Sequence, residues 1–147
     1  MSIFKKTVFF DASVLFSALY SSLGGSSTLV KQVKKGSIRG ITSQTVIDEL
    51  RENVSKLKHI NQGMIDRFIV DNNFIVRDCI SSEEIHPWIG KVEEKDIHVV
   101  VGALSTDCAY LVTLDKKHLN NKKIQHLCKG IQIGSPKELL IVIKSSR

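Results

Sequence analysis

Thr7-Val8-Phe9-Phe10-Asp11-Ala12-Ser13-Val14-Leu15-Phe16-Ser17-Ala18-Leu19 decides how the rest of the chain is read. Val8, Phe9 and Phe10 are consecutive apolar residues with no alternation, the pattern of a strand buried on both faces. Such strands belong to parallel sheets covered by helices. Asp11 ends the strand, and residues 12–19 are apolar at nearly every position, as in a buried helix. Asp11 therefore stands at the carboxyl end of a strand, where open parallel sheets bind their ligands.

Outward from that stretch, short β-branched or aromatic runs alternate with segments of helical period. Residues 21–27, Ser-Ser-Leu-Gly-Gly-Ser-Ser, are the clearest loop. Ser27 is expected to cap a helix ending near Lys35, with Leu29, Val30 and Val33 inward. Gly36 stops it, and residues 38–42 form a second strand. Ser43 then caps a helix through Leu57 with the stripe Val46, Leu50, Val54 and Leu57. A helix over 61–70 and a third strand over 74–77 follow. Pro87 and Gly90 mark residues 80–90 as a loop or broken helix. Residues 93–105 read as a helix with acids in its first turn, where the helix dipole favours them. Strands over 110–113 and 131–133 and a last helix over 137–143, with Pro136 at its start, complete the pattern. The expected fold is a three-layer α/β/α sandwich around a mostly parallel five-stranded sheet, one domain over residues 1–147.

Composition narrows the function. The chain has 147 residues, enough to bury about two thirds of its unfolded surface without disulfide or metal support. The net charge is +6, a bias towards anionic partners and nucleic acid first. Cys79, Cys108 and Cys128 are spaced too widely for a metal knuckle or a redox pair, and read as reduced thiols. The apolar run near the start is too short for a signal peptide and ends in an acid. No stretch reaches the length of a membrane span. A soluble cytoplasmic protein is expected.

Four acids sit where burial or strand ends make them conspicuous. Asp11 and Asp115 follow the first and fourth strands. Glu49 and Asp96 border the apolar stripes of their helices. Taken singly, each is explained as a cap, a dipole partner or a solvated residue. Together in one cleft they would repel and raise one another's pKa. A hard divalent cation relieves that repulsion, and Mg²⁺ or Mn²⁺ prefers carboxylate and water oxygens. Such an ion activates water and clamps a phosphoryl oxygen, the chemistry of phosphodiester hydrolysis.

These residues carry a family resemblance. Val8-Phe9-Phe10-Asp11-Ala12-Ser13 resembles the opening of PIN domains, a strand ending in Asp with a small polar residue two positions on. Ser43-Gln44-Thr45-Val46-Ile47-Asp48-Glu49-Leu50 resembles the second motif of that family, and Lys95-Asp96-Ile97-His98-Val99-Val100 the third. Tyr110-Leu111-Val112-Thr113-Leu114-Asp115 resembles the fourth, a strand closing in Thr-x-Asp. Order and approximate spacing hold over most of the chain. The resemblance, within which VapC-like toxins form a subgroup, implies a Mg²⁺- or Mn²⁺-dependent ribonuclease. It assigns Asp11, Glu49, Asp96 and Asp115 to the metal and to catalysis. Ser13 and Thr113 match positions that hydrogen-bond an acid or a water on the metal. Many prokaryotic single-domain members are toxins of type II toxin–antitoxin pairs, which implies an antitoxin protein and a homodimer as partners, beside RNA. The family often has a second Asp just before the third motif; this chain has Glu93 and Glu94 there.

Lys116 and Lys117 directly follow Asp115 and are the basic residues expected at substrate phosphate. Lys5-Lys6, Lys34-Lys35 and Lys122-Lys123 read as solvated surface. His98 and His118 lie near the acids, but a water activated by metal needs no general base, so neither is assigned to catalysis. Trp88 and Tyr110 are read as packing residues before stacking platforms. Two other functions fit the sequence. One is a PIN scaffold that binds RNA or protein without activity, separable by metal titration. The other is a nuclease of RNA maturation or structured DNA, separable by growth arrest on expression.

Overall fold

The computed structural model describes residues 6–145. Five strands, β1 (Lys6–Phe10), β2 (Ile38–Ser43), β3 (Ile75–Arg77), β4 (Tyr110–Val112) and β5 (Gln132–Gly134), form one sheet in the order β3-β2-β1-β4-β5. Every pairing is parallel, as strands joined through crossover helices require. The eight helices among the described residues are α1 (Ala12–Tyr20), α2 (Gly25–Lys35), α3 (Gln44–Val54), α4 (Gln62–Asp71), α5 (Ser82–Ile85), α6 (Ile97–Ser105), α7 (Lys122–Leu127) and α8 (Pro136–Ser145). From β1 the chain winds outward through β2 and β3, then returns to the other side of β1 for β4 and β5. The strand order therefore reverses between β1 and β4, and a crevice opens outside their carboxyl ends.

Register shows how the layers pack. Phe9 lies level with Ile41 and Leu111, and its ring sits under Gly102 of α6. On the opposite face Val8 lies level with Gly40, which abuts Val33 of α2, while Phe10 lies level with Val112 and Gly134, which abuts Leu139 of α8. Helices thus cover both faces of the sheet, and α3 packs with α6 while α2 packs with α8. Phe9, Phe10, Leu111 and Val112 are completely or almost completely buried at the centre.

Several elements differ from the expectations in their boundaries. The second helix begins at Gly25, and Gly24 takes the cap position with φ +98°, a backbone conformation that glycine allows without strain. Ser27 is a buried residue inside α2, and its hydroxyl donates to the carbonyl of Ser21. Helix α3 stops at Val54, and Leu57 is reached through a tight turn in which its N–H donates to the Val54 carbonyl at 2.9 Å. The helix expected over 93–105 is two pieces, a 3₁₀ turn at Glu94–Asp96 and then α6. Glu93 is extended (ψ 128°), so a regular helix cannot begin there. The stretch over 80–90 is a broken helix as expected, with α5, opened by a reciprocal Ser81–Glu84 capping box, running into a 3₁₀ turn at His86–Trp88. Arg77 grips Glu84 through hydrogen bonds of 2.9 and 3.0 Å and holds its carboxyl down at about 2. The same guanidinium reaches Ser105 Oγ at 2.9 Å, so this segment is tied to the end of α6.

Candidate active site

Asp11 is 6% exposed and is clamped from three sides. Its Oδ1 accepts the Ala12 N–H at 2.7 Å, capping α1. Its Oδ2 accepts from Ser13 Oγ at 2.9 Å and from Thr113 Oγ1 at 2.7 Å. Both hydroxyls are relays: Ser13 Oγ accepts the Leu114 N–H at 3.1 Å, and Thr113 Oγ1 accepts the Asp115 N–H at 3.1 Å. The end of β4 is thereby locked to the start of α1 through one carboxylate. Burial pushes the Asp11 carboxyl up, the Thr113 and Ser13 hydrogen bonds pull it back, and the charge of Glu49 adds to the rise.

Thr113 is fully buried, so removing its hydroxyl breaks two hydrogen bonds and leaves the Asp115 N–H without its partner. Thr113→Val is expected to cost about 1–3 kcal/mol in urea unfolding, while Thr113→Ser retains most of it. Equal stability of Thr113→Val and the native chain would show that the relay is not structural.

Asp96 occupies the junction between the 3₁₀ turn and α6, as N-cap without a capping side-chain hydrogen bond. It is 7% exposed, and its buried Oδ2 has no hydrogen-bond partner. Burial, then the charges of Asp115 and Asp11, push its carboxyl up to about 6. Asp115 follows β4; its Oδ1 accepts the His118 N–H at 2.9 Å, and its Oδ2 lies 3.3 Å from His118 Nδ1. That same Nδ1 lies 3.6 Å from Asp96 Oδ2. Ligand-type atoms of Asp96, Asp115 and His118 all lie within 4.8 Å of one another. Glu49, half-buried on α3, has Oε1 at 3.5 Å from Nε2 of the buried His98.

The structure therefore brings the four acids of the sequence reading to one crevice at the strand-order reversal, in two groups. Asp96 and Asp115 converge tightly, with His118 between them. Asp11 and Glu49 stand alongside, close enough to raise Asp96 and Asp11 respectively, with Asp11's oxygens turned to Ser13, Thr113 and Ala12. Glu93 and Glu94 are exposed and outside the tight group. The donor set suits a divalent cation: an orphaned buried carboxylate oxygen stands beside a second carboxylate, and the charges of Asp115 and Asp11 raise the Asp96 carboxyl.

A cleft of about 470 Å³ adjoins His118 and is bounded by Lys91, Glu93, Lys117 and Lys123. Lys117 faces this cleft. Lys116 is not among the residues that bound it; the Glu138 carboxyl is held low by the Ser135 N–H first, then by Asn120, with Lys116 the smallest contribution. Lys123 borders the crevice as part of α7, a helix the sequence reading did not contain. Its signal was present: Asn121 caps α7 by accepting the Ile124 N–H at 2.9 Å, and Ile124 is buried. His118, which the sequence assigns no role, lies three residues after Asp115 in a turn, a spacing that favours their side-chain contact. Trp88 and Tyr110 are partly buried and pack against the core, and the three cysteines are free.

A doubly wound parallel sheet with clustered carboxylates at its switch point defines an α/β domain built around an acidic crevice. The PIN domain family model matches residues 7–117, and the chain belongs to that family. No curated protein matches the sequence. Among solved structures, the fold is similar to VapBC2 from Rickettsia felis, bound to a DNA fragment from their promoter (TM-score 0.64, 16% identity, 88% of this chain and 98% of that one). It is also similar to VapC20 of Mycobacterium tuberculosis, a sarcin-ricin loop cleaving toxin (TM-score 0.54, 13% identity, 75% and 91%). A third match is FitAB bound to the IR36 DNA fragment (TM-score 0.58, 12% identity, 88% and 94%). No helix among the described residues is long and apolar enough to cross a membrane.

Proposed function

We propose that this protein is a Mg²⁺- or Mn²⁺-dependent endoribonuclease and the toxin of a type II toxin–antitoxin pair. The observation that carries the reading is the buried, unpartnered Oδ2 of Asp96 facing Asp115, with Asp11 close enough to raise it. In this reading Asp96 and Asp115 hold the ion, with Asp11 and Glu49 completing the acidic crevice. Once bound, the ion supplies charge neutralisation at the phosphoryl group and lowers the pKa of an attacking water. Ser13 and Thr113 fix the Asp11 carboxylate and the backbone before Asp115, so the acids do not reorganise as substrate binds. The likeness to a sarcin-ricin loop cleaving toxin supports RNA as substrate, and the likenesses to VapBC2 and FitAB support a small antitoxin partner. A homodimer in the cytoplasm belongs to the same reading.

The test is cleavage of a mixed panel of structured and single-stranded RNAs with Mn²⁺, Mg²⁺ or EDTA, beside Asp96→Asn. Cutting that needs metal and is lost in the variant supports the reading. A folded protein that neither cuts nor binds Mn²⁺ overturns it in favour of an inactive binding scaffold. Growth arrest on expression, relieved by a co-expressed neighbouring gene, tests the toxin role.

The cleft beside His118 is the path proposed for substrate phosphates. Lys117→Ala and Lys123→Ala are each expected to weaken binding of single-stranded RNA uniformly across sequences. Each should also lower the slope of log K against log salt by about 0.7, measured on the Asp96→Asn background to prevent cleavage. Lys116→Ala is the contrast, with an unchanged slope. Equal effects of all three lysines would remove the cleft from the path.

A further inference from the structure

His118 enters the acidic crevice in a place that a carboxylate-only metal site leaves unexplained. Its backbone N–H is fixed to Asp115 Oδ1 at 2.9 Å, so the turn after β4 sets where the ring lies. Its Nδ1 then stands 3.3 Å from Asp115 Oδ2 and 3.6 Å from Asp96 Oδ2. Both separations are long for a charge-assisted N–H···O⁻ bond, which runs about 2.7–2.9 Å. They match the spacing of neighbouring ligand atoms around one ion: two neighbouring ligands each about 2.1 Å from a cation lie roughly 3–3.6 Å apart. The independent observation is Asp96 Oδ2, buried, without a hydrogen-bond partner and facing that imidazole, on a residue 93% shielded from solvent (7% exposed).

We propose that His118 is itself a metal ligand, its Nδ1 completing a mixed nitrogen–oxygen site with Asp96 and Asp115 that selects Mn²⁺ and other transition ions over Mg²⁺. The proposal rests on the metal-dependent reading above and adds a ligand to it. Mg²⁺ is a hard ion that keeps oxygen ligands and gives up its waters reluctantly, so an imidazole contributes little to holding it. Imidazole nitrogen suits the transition ions, with affinity rising from Mn²⁺ towards Co²⁺ and Zn²⁺. The competing arrangement is an imidazolium or imidazole N–H bridging the two carboxylates, which would serve in place of an ion or outside its ligand sphere. His98 provides the internal comparison. It is the other imidazole of the crevice, it lies against Glu49, and it is outside the tight group.

The experiment uses the full chain loaded with Mn²⁺ alone, read by pulsed electron paramagnetic resonance and by calorimetric titration. The native protein and His98→Asn are expected to show imidazole-nitrogen coupling to Mn²⁺, and His118→Asn to lose it. Isotopic labelling of histidine nitrogen should change the coupling in the native chain, a readout that needs no variant. His118→Asn is expected to weaken Mn²⁺ binding about tenfold or more and Mg²⁺ binding much less, narrowing the ratio of the two. Mn²⁺ bound without nitrogen coupling, or with coupling retained in His118→Asn, overturns the proposal and leaves the carboxylate site standing. Native protein that binds no Mn²⁺ overturns both.

Discussion

Asp96→Asn is expected to give a protein that is more stable than the native chain without metal and inactive with it. The stability half follows from electrostatics. The Asp96 carboxyl is pushed up to about 6 from its ordinary 3.8, by burial first and then by Asp115 and Asp11. An acid raised by folding holds its proton more tightly in the native state than in the unfolded chain. The native state is therefore favoured below pH 4 and loses this advantage as pH rises through about 6. Above that, the ionised native site costs on the order of 1–3 kcal/mol, which a neutral Asn removes. Urea unfolding in EDTA at pH 7.5 should show the variant gaining that amount, and the gap should close near pH 4. Saturating Mn²⁺ should reverse the order, because an ion at about 1,000 times its Kd adds roughly 4.1 kcal/mol to a native state that binds it. Cleavage should fall on the order of 10²–10³-fold or more, the scale of removing charge stabilisation at a phosphoryl group. A variant that is less stable in EDTA at neutral pH would contradict the electrostatic account, and one that cuts normally would remove Asp96 from the site.

The strand–acid junctions were legible because both of their signals are local. Val8 to Phe10 cannot be an amphipathic element, and an acid directly after a fully apolar run must stand at the end of a strand. The parallel sheet follows from that pattern together with the helical segments between strands, and Asp115 after the fourth strand repeats the junction. What escaped the reading depends on contacts between elements, or on backbone conformations that have no period. Gly24 displaced Ser27 as the start of α2, because a cap in the φ +98° conformation leaves no side-chain signature beyond a pair of glycines. Acidic neighbours that suit a helix dipole make Asp96 read as first-turn helix; the 3₁₀ turn instead sets it at a junction, where its carboxylate stands beside Asp115. Which of Lys116 and Lys117 borders the cleft is equally invisible in a dipeptide, and only Lys117 does. His118 is the most consequential of these. A polar residue three positions after an acid in a turn has many uses, and only the approach of Asp96 from a distant helix narrows them.

Gly102→Ala is expected to destabilise the fold and loosen the metal site together, because this residue sets how close α6 lies to the sheet. A Cβ at Gly102 would fall 2.5 Å from Phe9 Cζ and 2.8 Å from Cε2, distances real side chains do not tolerate. Phe9 is fully buried at the centre of the sheet and has nowhere to turn. The substitution gains about 1 kcal/mol in helix propensity. Overpacking against an immobile ring costs about 1–3 kcal/mol, and contacts this short belong at or above the upper end, so a net loss of about 2 kcal/mol or more in urea unfolding is expected. The consequence for function is mechanical. Helix α6 carries Asp96 at its N-terminal end, so lifting the helix from β1 moves Asp96 away from Asp115, which is anchored to β4. Mn²⁺ affinity should fall with stability, although Gly102 touches none of the acids. Phe9→Leu on the Gly102→Ala background gives the decisive cycle. Leucine alone leaves a void under Gly102 and costs stability, yet in the double variant the added methyl occupies that void. The two changes should therefore compensate by about 1 kcal/mol or more relative to their sum, with Mn²⁺ affinity partly restored. Strict additivity, or stability lost with Mn²⁺ affinity unchanged, would show that the Phe9–Gly102 contact does not govern the placement of Asp96.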